Sequence, residues 1–139
     1  MKYIFKIFLS AIPFLLLINA IQGQANESIS EKLANDQLNA YNNRNIEAFV
    51  APYSDSVKVF TFPNTLNYQG KNQMRKVYGE MFQALPDLHC QLVNRIVLGN
   101  IVIDQEKVTL RKDQPVLEAI AIYKVWMDKI QEVYFIRKN

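Results

Sequence analysis

The sequence has very few of the residues that usually mark a metal site, a disulfide framework or a nucleophilic centre. Its 139 residues include a single cysteine, Cys90, and a single histidine, His89. One cysteine cannot form an internal disulfide, and one histidine excludes a catalytic histidine pair and a multi-histidine metal site. We therefore predict a domain that is held together by packing and that carries no metal and no cofactor.

Net charge is also small once the amino-terminal segment is set aside. The formal net charge falls from +3 to +1 when Lys2 and Lys6 are removed. Nucleic acids and anionic membrane surfaces are recognised first through concentrated positive charge. The composition therefore argues against both as partners.

The amino-terminal segment has the three-part layout of a secretory signal peptide. Lys2 and Lys6 precede an apolar run from Ile7 to Ile18, and the small residues in Gly23–Ala25 offer a cleavage site. We predict a signal peptide over residues 1–25 and export to the periplasm or the medium. A membrane anchor is the alternative, but the run is shorter than the roughly 20 apolar residues of a spanning helix, and it contains a serine and a proline. No stable membrane insertion is expected after cleavage.

The remainder, residues 26–139, has the length of one small domain. Apolar periodicity predicts three helices, over Ser28–Asn43, Ile46–Ala51 and the segment between Gly70 and Pro86. β-branched and aromatic residues predict six strands, over Val57–Phe62, Leu66–Gln69, Leu88–Leu98, Ile101–Leu110, Val116–Trp126 and Ile130–Arg137. Because the helices are grouped early and the strands late, we predict an α+β fold rather than alternating βαβ units.

Several segments of this domain are similar to those of a known family. They are Tyr41–Phe49, Ala51–Val57, Tyr68–Lys71, Gly99–Glu106 and Ala119–Tyr123 with Lys129–Ile130. In this order and spacing they resemble the nuclear transport factor 2-like superfamily, which includes SnoaL-like proteins and ketosteroid isomerase. The resemblance implies a cone-shaped, curved antiparallel or mixed sheet wrapped by three helices, the cystatin-like α+β barrel, with a hydrophobic pocket and often a homodimer. Members include isomerases, cyclases, epoxide hydrolases, dehydratases and modules that only bind, so the resemblance implies the place of a site rather than one reaction.

The catalytic groups of ketosteroid isomerase are absent from the matching positions. That enzyme uses a carboxylate base and an oxyanion hole made of a tyrosine and a protonated aspartic acid. The resemblance places the base at Phe62, before Pro63, the tyrosine at Gln37 and the acid near Ala121. Phenylalanine and alanine side chains can neither transfer a proton nor donate a hydrogen bond. If the protein is an enzyme, it does not use this machinery.

The strongest cluster of polar groups falls in the first hairpin of the four late strands. A two-residue turn at Gly99–Asn100 sets its register and places Arg95 opposite Asp104 and Val93 opposite Glu106. Side chains two residues apart share a face of a strand. One side of the hairpin is therefore predicted to carry His89, Gln91, Arg95, Asp104 and Glu106.

Two interpretations of this cluster stay open. In one, Asp104 and Glu106, held by Arg95, form the polar end of a pocket in which one carboxylate is free for proton transfer. His89 is then a further candidate catalytic residue, because histidine is the usual proton shuttle near neutral pH. In the other, the same charges form a solvent-facing salt bridge on a half-exposed sheet. Cys90 is predicted on the opposite, apolar side, which argues against a Cys–His nucleophilic pair.

Aromatic residues are numerous for so small a domain. The candidate ligand-binding residues among them are Tyr41, Phe60, Phe62, Tyr78, Phe82 and Tyr123. Inward tyrosine hydroxyls would suit an apolar ligand with one or two polar groups. We therefore predict a small hydrophobic molecule as the partner, with or without acid–base catalysis. The alternative is a non-catalytic dimerisation or partner-binding module.

The strand Val116–Trp126 predicts an apolar outer surface. If Ala119, Ala121 and Tyr123 face the interior, then Ile120, Ile122 and Trp126 lie on the other face. No predicted helix remains to cover them, and monomers seldom leave such a patch in water. We therefore expect a homodimer through this face.

Overall fold

The structure is a computed structural model that describes residues 28–138, and the predicted signal peptide lies outside the described residues. The helices are α1 (Ile29–Asn42), α2 (Ile46–Val50) and α3 (Lys71–Ala84). The strands are β1 (Tyr53–Thr61), β2 (Thr65–Gln69), β3 (His89–Leu98), β4 (Ile101–Thr109), β5 (Leu117–Trp126) and β6 (Lys129–Arg137). No helix within the described range is long and apolar enough to cross a membrane.

Helix α1 begins where the sequence supplies a cap. The Ser28 hydroxyl accepts a hydrogen bond from the backbone N–H of Glu31 at 3.1 Å, which satisfies one of the free donors of the first turn. The residues buried in the helix include Leu33, Gln37 and Ala40, at the spacing of one helical face. Gln37 is thus a polar residue on an otherwise largely apolar buried face.

The six strands form one sheet in the order β2-β1-β6-β5-β4-β3. The β1–β6 pair is parallel, and the other four pairs are antiparallel. This curved, mixed sheet with three helices confirms the predicted α+β fold and its cystatin-like architecture. The helices bury one side of the sheet, here called the inner face, whose fully buried side chains include Val57, Val102, Asp104, Ala121 and Val133.

The hairpin β3–β4 contains a β-bulge that the sequence does not reveal. Arg95 pairs with Asp104 as predicted, but the register shifts between Leu92 and Asn94, so that Leu92 and not Val93 lies opposite Glu106. A bulge adds one residue to one strand and so reverses the alternation of faces beyond it.

The reversal changes which residues share the face of Glu106. Cys90 is buried on the inner face, whereas His89 and Gln91 are exposed on the other side. The prediction that His89 and Gln91 lie beside Glu106, with Cys90 opposite, is therefore wrong.

The other side of the sheet carries a continuous line of apolar side chains. Cross-strand partners share a face, and the registers join six residues across all six strands. In sheet order they are Leu66, Phe60, Tyr134, Ile122, Ile103 and Ile96, here called the outer apolar row. Phe60 and Tyr134 stack with ring centroids 4.7 Å apart, and Ile96 is 57% exposed.

The predicted orientation of β5 is confirmed, since Ala121 and Tyr123 are buried and Trp126 is exposed.

Candidate functional site

A cavity of about 390 Å³ lies between the helices and the inner face of the sheet. Its wall is mostly apolar, and includes Leu38, Phe49, Met81, Leu85, Val108 and Phe135. Ala119 of β5 lines the cavity on the side of the sheet, and its methyl group leaves room that a larger side chain would fill. The volume lies within the range of small-molecule sites, roughly 300 to 1,000 Å³.

Half of the predicted ligand-binding aromatics line this cavity. Tyr41, Tyr78 and Tyr123 contribute to its wall. Phe82 is buried in the core behind it, with its ring 5.6 Å from that of Tyr41. Phe60 and Phe62 lie elsewhere, contrary to the prediction. Phe60 points to the outer face because it alternates with the inward Val59, and Phe62 follows the end of β1 and is 53% exposed.

Glu106 is the carboxylate that faces the cavity. Its side chain is buried, with 6% of its surface exposed, and its Oε1 accepts a hydrogen bond from the Tyr123 hydroxyl at 3.3 Å. The Cys90 thiol is also hydrogen-bonded to this carboxyl group. Burial and the nearby charge of Asp104 together raise the pKa of Glu106 to about 7. Near neutral pH it can therefore either donate or accept a proton.

Asp104 is held differently, although it lies only two residues away on the same face. It is fully buried and receives two hydrogen bonds from Arg95, from Nε to Oδ1 at 2.6 Å and from Nη2 to Oδ2 at 2.7 Å. Arg95 also donates to Asn35 Oδ1 on α1. Both oxygens of Asp104 are occupied by this paired geometry. Asp104 is thus a fixed charge behind the cavity, and Glu106 is the carboxylate left for proton transfer.

Gln37, which the resemblance placed at the position of a missing tyrosine, connects helix α1 to this site. Its Nε2 donates to the Ala34 carbonyl at 3.1 Å and to the Tyr123 hydroxyl at 3.0 Å. Its Oε1 accepts from the Tyr53 hydroxyl at 3.2 Å. The Ala34 carbonyl can only accept, which fixes the orientation of the amide. Tyr123 accepts from Gln37 and must therefore send its own proton to Glu106.

The tyrosines around the cavity stay protonated. Burial raises the pKa of Tyr78 to about 12, and desolvation also raises the pKa values of Tyr41, Tyr53 and Tyr123 above their usual value. Neutral phenol groups are hydrogen-bond donors. Tyr41 and Tyr78, whose rings are 6.2 Å apart, place two such groups in the cavity wall.

His89 is not part of this site. It is exposed on the outer side of β3, where it borders a shallow groove with Gln91, Lys107 and Thr109. The bulge at Val93 is the reason, because it reverses the face of every residue before it in the strand. Within residues 28–138 there is also no group of three side chains suited to hold a metal ion.

A family model described as a SnoaL-like domain matches residues 34–133. The chain belongs to the SnoaL-like domain family. The predicted resemblance to SnoaL-like proteins is thereby confirmed. No curated protein matches this SnoaL-like chain in sequence.

Several solved structures share the fold of this SnoaL-like domain. An uncharacterised cystatin-fold protein from Novosphingobium aromaticivorans is 23% identical, with a TM-score of 0.70 over 79% of this chain and 98% of that one. A putative ketosteroid isomerase from Kribbella flavida is 17% identical, with a TM-score of 0.69 over 80% and 78%. A putative SnoaL-like polyketide cyclase from Jannaschia sp. is 13% identical, with a TM-score of 0.67 over 81% and 87%. At these identities the likeness establishes the fold and no reaction.

Proposed function

We propose that this SnoaL-like domain binds a small, largely apolar molecule in its cavity and transfers a proton to or from it through Glu106. The observation that carries the proposal is a buried carboxyl group in the cavity wall whose pKa is raised to about 7. General acid–base groups work best when their pKa lies near the working pH. Glu106 then has comparable charged and neutral populations and can both accept and return a proton.

The surrounding groups support this role. The fixed charge of Asp104 disfavours ionisation of Glu106, while the Tyr123 hydrogen bond holds one carboxyl oxygen in place. Tyr41 and Tyr78 supply neutral hydroxyls that can donate to a carbonyl oxygen or to a negative charge that develops on it. The site therefore suits proton abstraction next to a carbonyl group, with the apolar wall excluding water.

Replacing Glu106 by glutamine tests the proposal directly. The probe is 2-tetralone, an apolar bicyclic ketone, and deuterium uptake from D₂O at its α-carbons is followed by NMR. We expect the natural protein to accelerate exchange and Glu106→Gln to lose at least about a hundredfold of that acceleration, which is typical for a general base. Glu80→Gln, at an exposed position of α3, is the matched control. Equal acceleration by the Glu106→Gln and natural proteins would contradict the proposal.

The same variant gives a second readout that needs no substrate. The pKa of Glu106 rises from 4.5 to about 7 on folding, so between these values the native state keeps a proton that the unfolded state has lost. The free energy of unfolding should therefore fall as pH rises through this window, by on the order of 3 kcal/mol. The Glu106→Gln variant has no carboxyl group to ionise at this position, so its free energy of unfolding should not fall in this window. The variant should therefore be more stable than the natural protein at pH 8 and about equally stable at pH 4.5. Parallel urea-unfolding profiles for the two proteins would show that Glu106 is ionised normally.

The outer apolar row supports a second proposal, which concerns assembly. We propose that two copies of the chain bury this row against each other in a homodimer. The central members Ile103 and Ile122 are only half-buried in one chain, and no described helix packs on that side. Large contiguous apolar surfaces commonly mark protein interfaces.

We also propose that the protein is exported and begins, after cleavage, within residues 24–26. The basic, apolar and small-residue stretches of residues 1–25 support this. Intact-mass measurement of protein secreted or released from the periplasm is expected to give a chain that lacks the segment. A full-length mass in the membrane fraction would indicate an anchor instead.

A further inference from the structure

Glu106 and Arg137 occupy one row across the inner face of the sheet. Glu106 pairs with Ala119 of β5, and Ala119 pairs with Arg137 of β6. All three residues line the cavity. Adjacent strands are about 4.8 Å apart, so the Cα atoms of Glu106 and Arg137 are separated by roughly 10 Å. The alanine between them leaves the space over this row open.

Arg137 is a cation without an anion of its own among residues 28–138. The neighbouring Lys138 contacts Glu118 at 3.4 Å, and Arg95 is fully engaged with Asp104, but no carboxylate within the described range forms an ion pair with Arg137. Burial raises the pKa values of the Tyr41 and Tyr78 hydroxyls, and the charge of Arg137 opposes part of that rise, so its charge is felt in the cavity wall. A guanidinium group suits carboxylates in particular, because its N–H groups match the two oxygens.

The two ends of this row differ in burial. Glu106 is buried and marks the inner end of the cavity, the exposed Arg137 marks its mouth, and apolar side chains such as Met81 and Phe135 also line the cavity.

An anion would be repelled from the inner end by Asp104 and by the charged form of Glu106. It would be attracted to Arg137, because the other two charges near the mouth, Lys138 and Glu118, pair with each other. A neutral apolar molecule would form no ion pair with Arg137 at the mouth of the cavity.

We propose that the ligand of this cavity is an amphipathic carboxylate, whose anionic group binds Arg137 while its apolar body extends about 10 Å along the row to Glu106. This inference rests on the proposed function, since it identifies the chemical class of the molecule that meets Glu106. The small side chain of Ala119 leaves room for the apolar body of the ligand, and Arg137 holds its anionic end at the mouth of the cavity.

The test compares decanoate with 1-decanol, two probes with the same carbon chain and different charge. Binding to the protein over residues 26–139 is measured by calorimetry at pH 7. We expect decanoate to bind about tenfold more tightly than 1-decanol, as one charge-assisted pair of hydrogen bonds would give. Arg137→Gln should remove the preference, and the control Arg111→Gln, at an exposed arginine that does not line the cavity, should keep it. Ala119→Leu should weaken both probes by filling part of the cavity.

Each outcome of this test bears on the carboxylate proposal, on the proposed ligand-binding function or on both. Equal binding of the two probes, unchanged by Arg137→Gln, would overturn the carboxylate proposal and leave the cavity as an apolar ligand site. Binding that Ala119→Leu does not affect would place the probes outside the cavity and overturn the proposal as well. No binding of either probe would count against both the carboxylate proposal and the proposed ligand-binding function. Arg137→Gln should lose the preference for decanoate over 1-decanol and still accelerate deuterium uptake by 2-tetralone. That result would support the carboxylate proposal and show that Arg137 and Glu106 have separate roles.

Discussion

Replacing Arg95 by alanine should destabilise the domain by about 3–5 kcal/mol, the usual result of leaving a buried charge without its partner. Asp104 has no exposed surface, and Arg95 supplies two hydrogen bonds to its carboxylate. Urea unfolding at pH 7 measures the effect. The same substitution removes the link to Asn35, so it also loosens α1 against the sheet.

The chain contains a matched control for this experiment. Arg75 on α3 also forms a paired contact with a carboxylate, from Nε to Glu47 Oε1 at 2.9 Å and from Nη2 to Oε2 at 3.2 Å. That pair is exposed, so Arg75→Ala should cost no more than about 1 kcal/mol. The double variant Arg95→Met with Asp104→Leu should recover much of the loss, since it removes both buried charges. Similar losses for Arg75→Ala and Arg95→Ala would refute the assignment of Asp104 as a buried anion.

Glutamate in place of Ile122 should convert the proposed dimer to a monomer. Ile122 lies at the centre of the outer apolar row, between Ile103 and Tyr134. In a two-fold interface a single substitution introduces two like charges into one apolar contact, and each loses its hydration. Light scattering at micromolar concentration should give the mass of two chains for the natural protein and of one chain for Ile122→Glu.

Ile29→Glu is the appropriate control for the dimer experiment. Ile29 is 47% exposed in the first turn of α1, away from the row, and a negative charge is favourable at the start of a helix. This variant should stay dimeric. A natural protein with the mass of one chain would exclude the dimer, and Trp126 and the row would then be surfaces for another partner or for none.

The fold could be predicted from the sequence because its elements depend on local patterns. The Ser28 cap, the apolar periodicity of α1 and α3, and the turn at Gly99–Asn100 each act over a few residues. The alternation of small and large residues in β5 likewise gave the correct faces for Ala121 and Tyr123.

The site was predicted only in part, and two particular residues explain why. Asp104 and Glu106 were placed correctly on one face, because β4 is regular from the turn onward. His89 was placed wrongly because the bulge at Val93 has no turn residue or glycine to mark it. Gln37 was identified only as the position of a missing tyrosine, because a glutamine within a helix usually faces solvent and its burial depends on Tyr53 and Tyr123, which are distant in sequence.

Because of the bulge at Val93, the chemistry of the site depends on how β3 pairs with β4 as well as on which residues are present. Cys90 and Arg95 are five positions apart, and in a regular strand an odd separation would put them on opposite faces. With one extra residue between them, both turn inward, one to Glu106 and the other to Asp104. If the same residues paired without the bulge, with Val93 opposite Glu106, the amide of Gln91 would replace the thiol on the inner face without any substitution. Deletion of Val93 would instead keep Cys90 on the inner face, because four positions would then separate it from Arg95. A shift of one residue in the pairing of β3 can therefore change the chemistry of the cavity as much as a change of residue type.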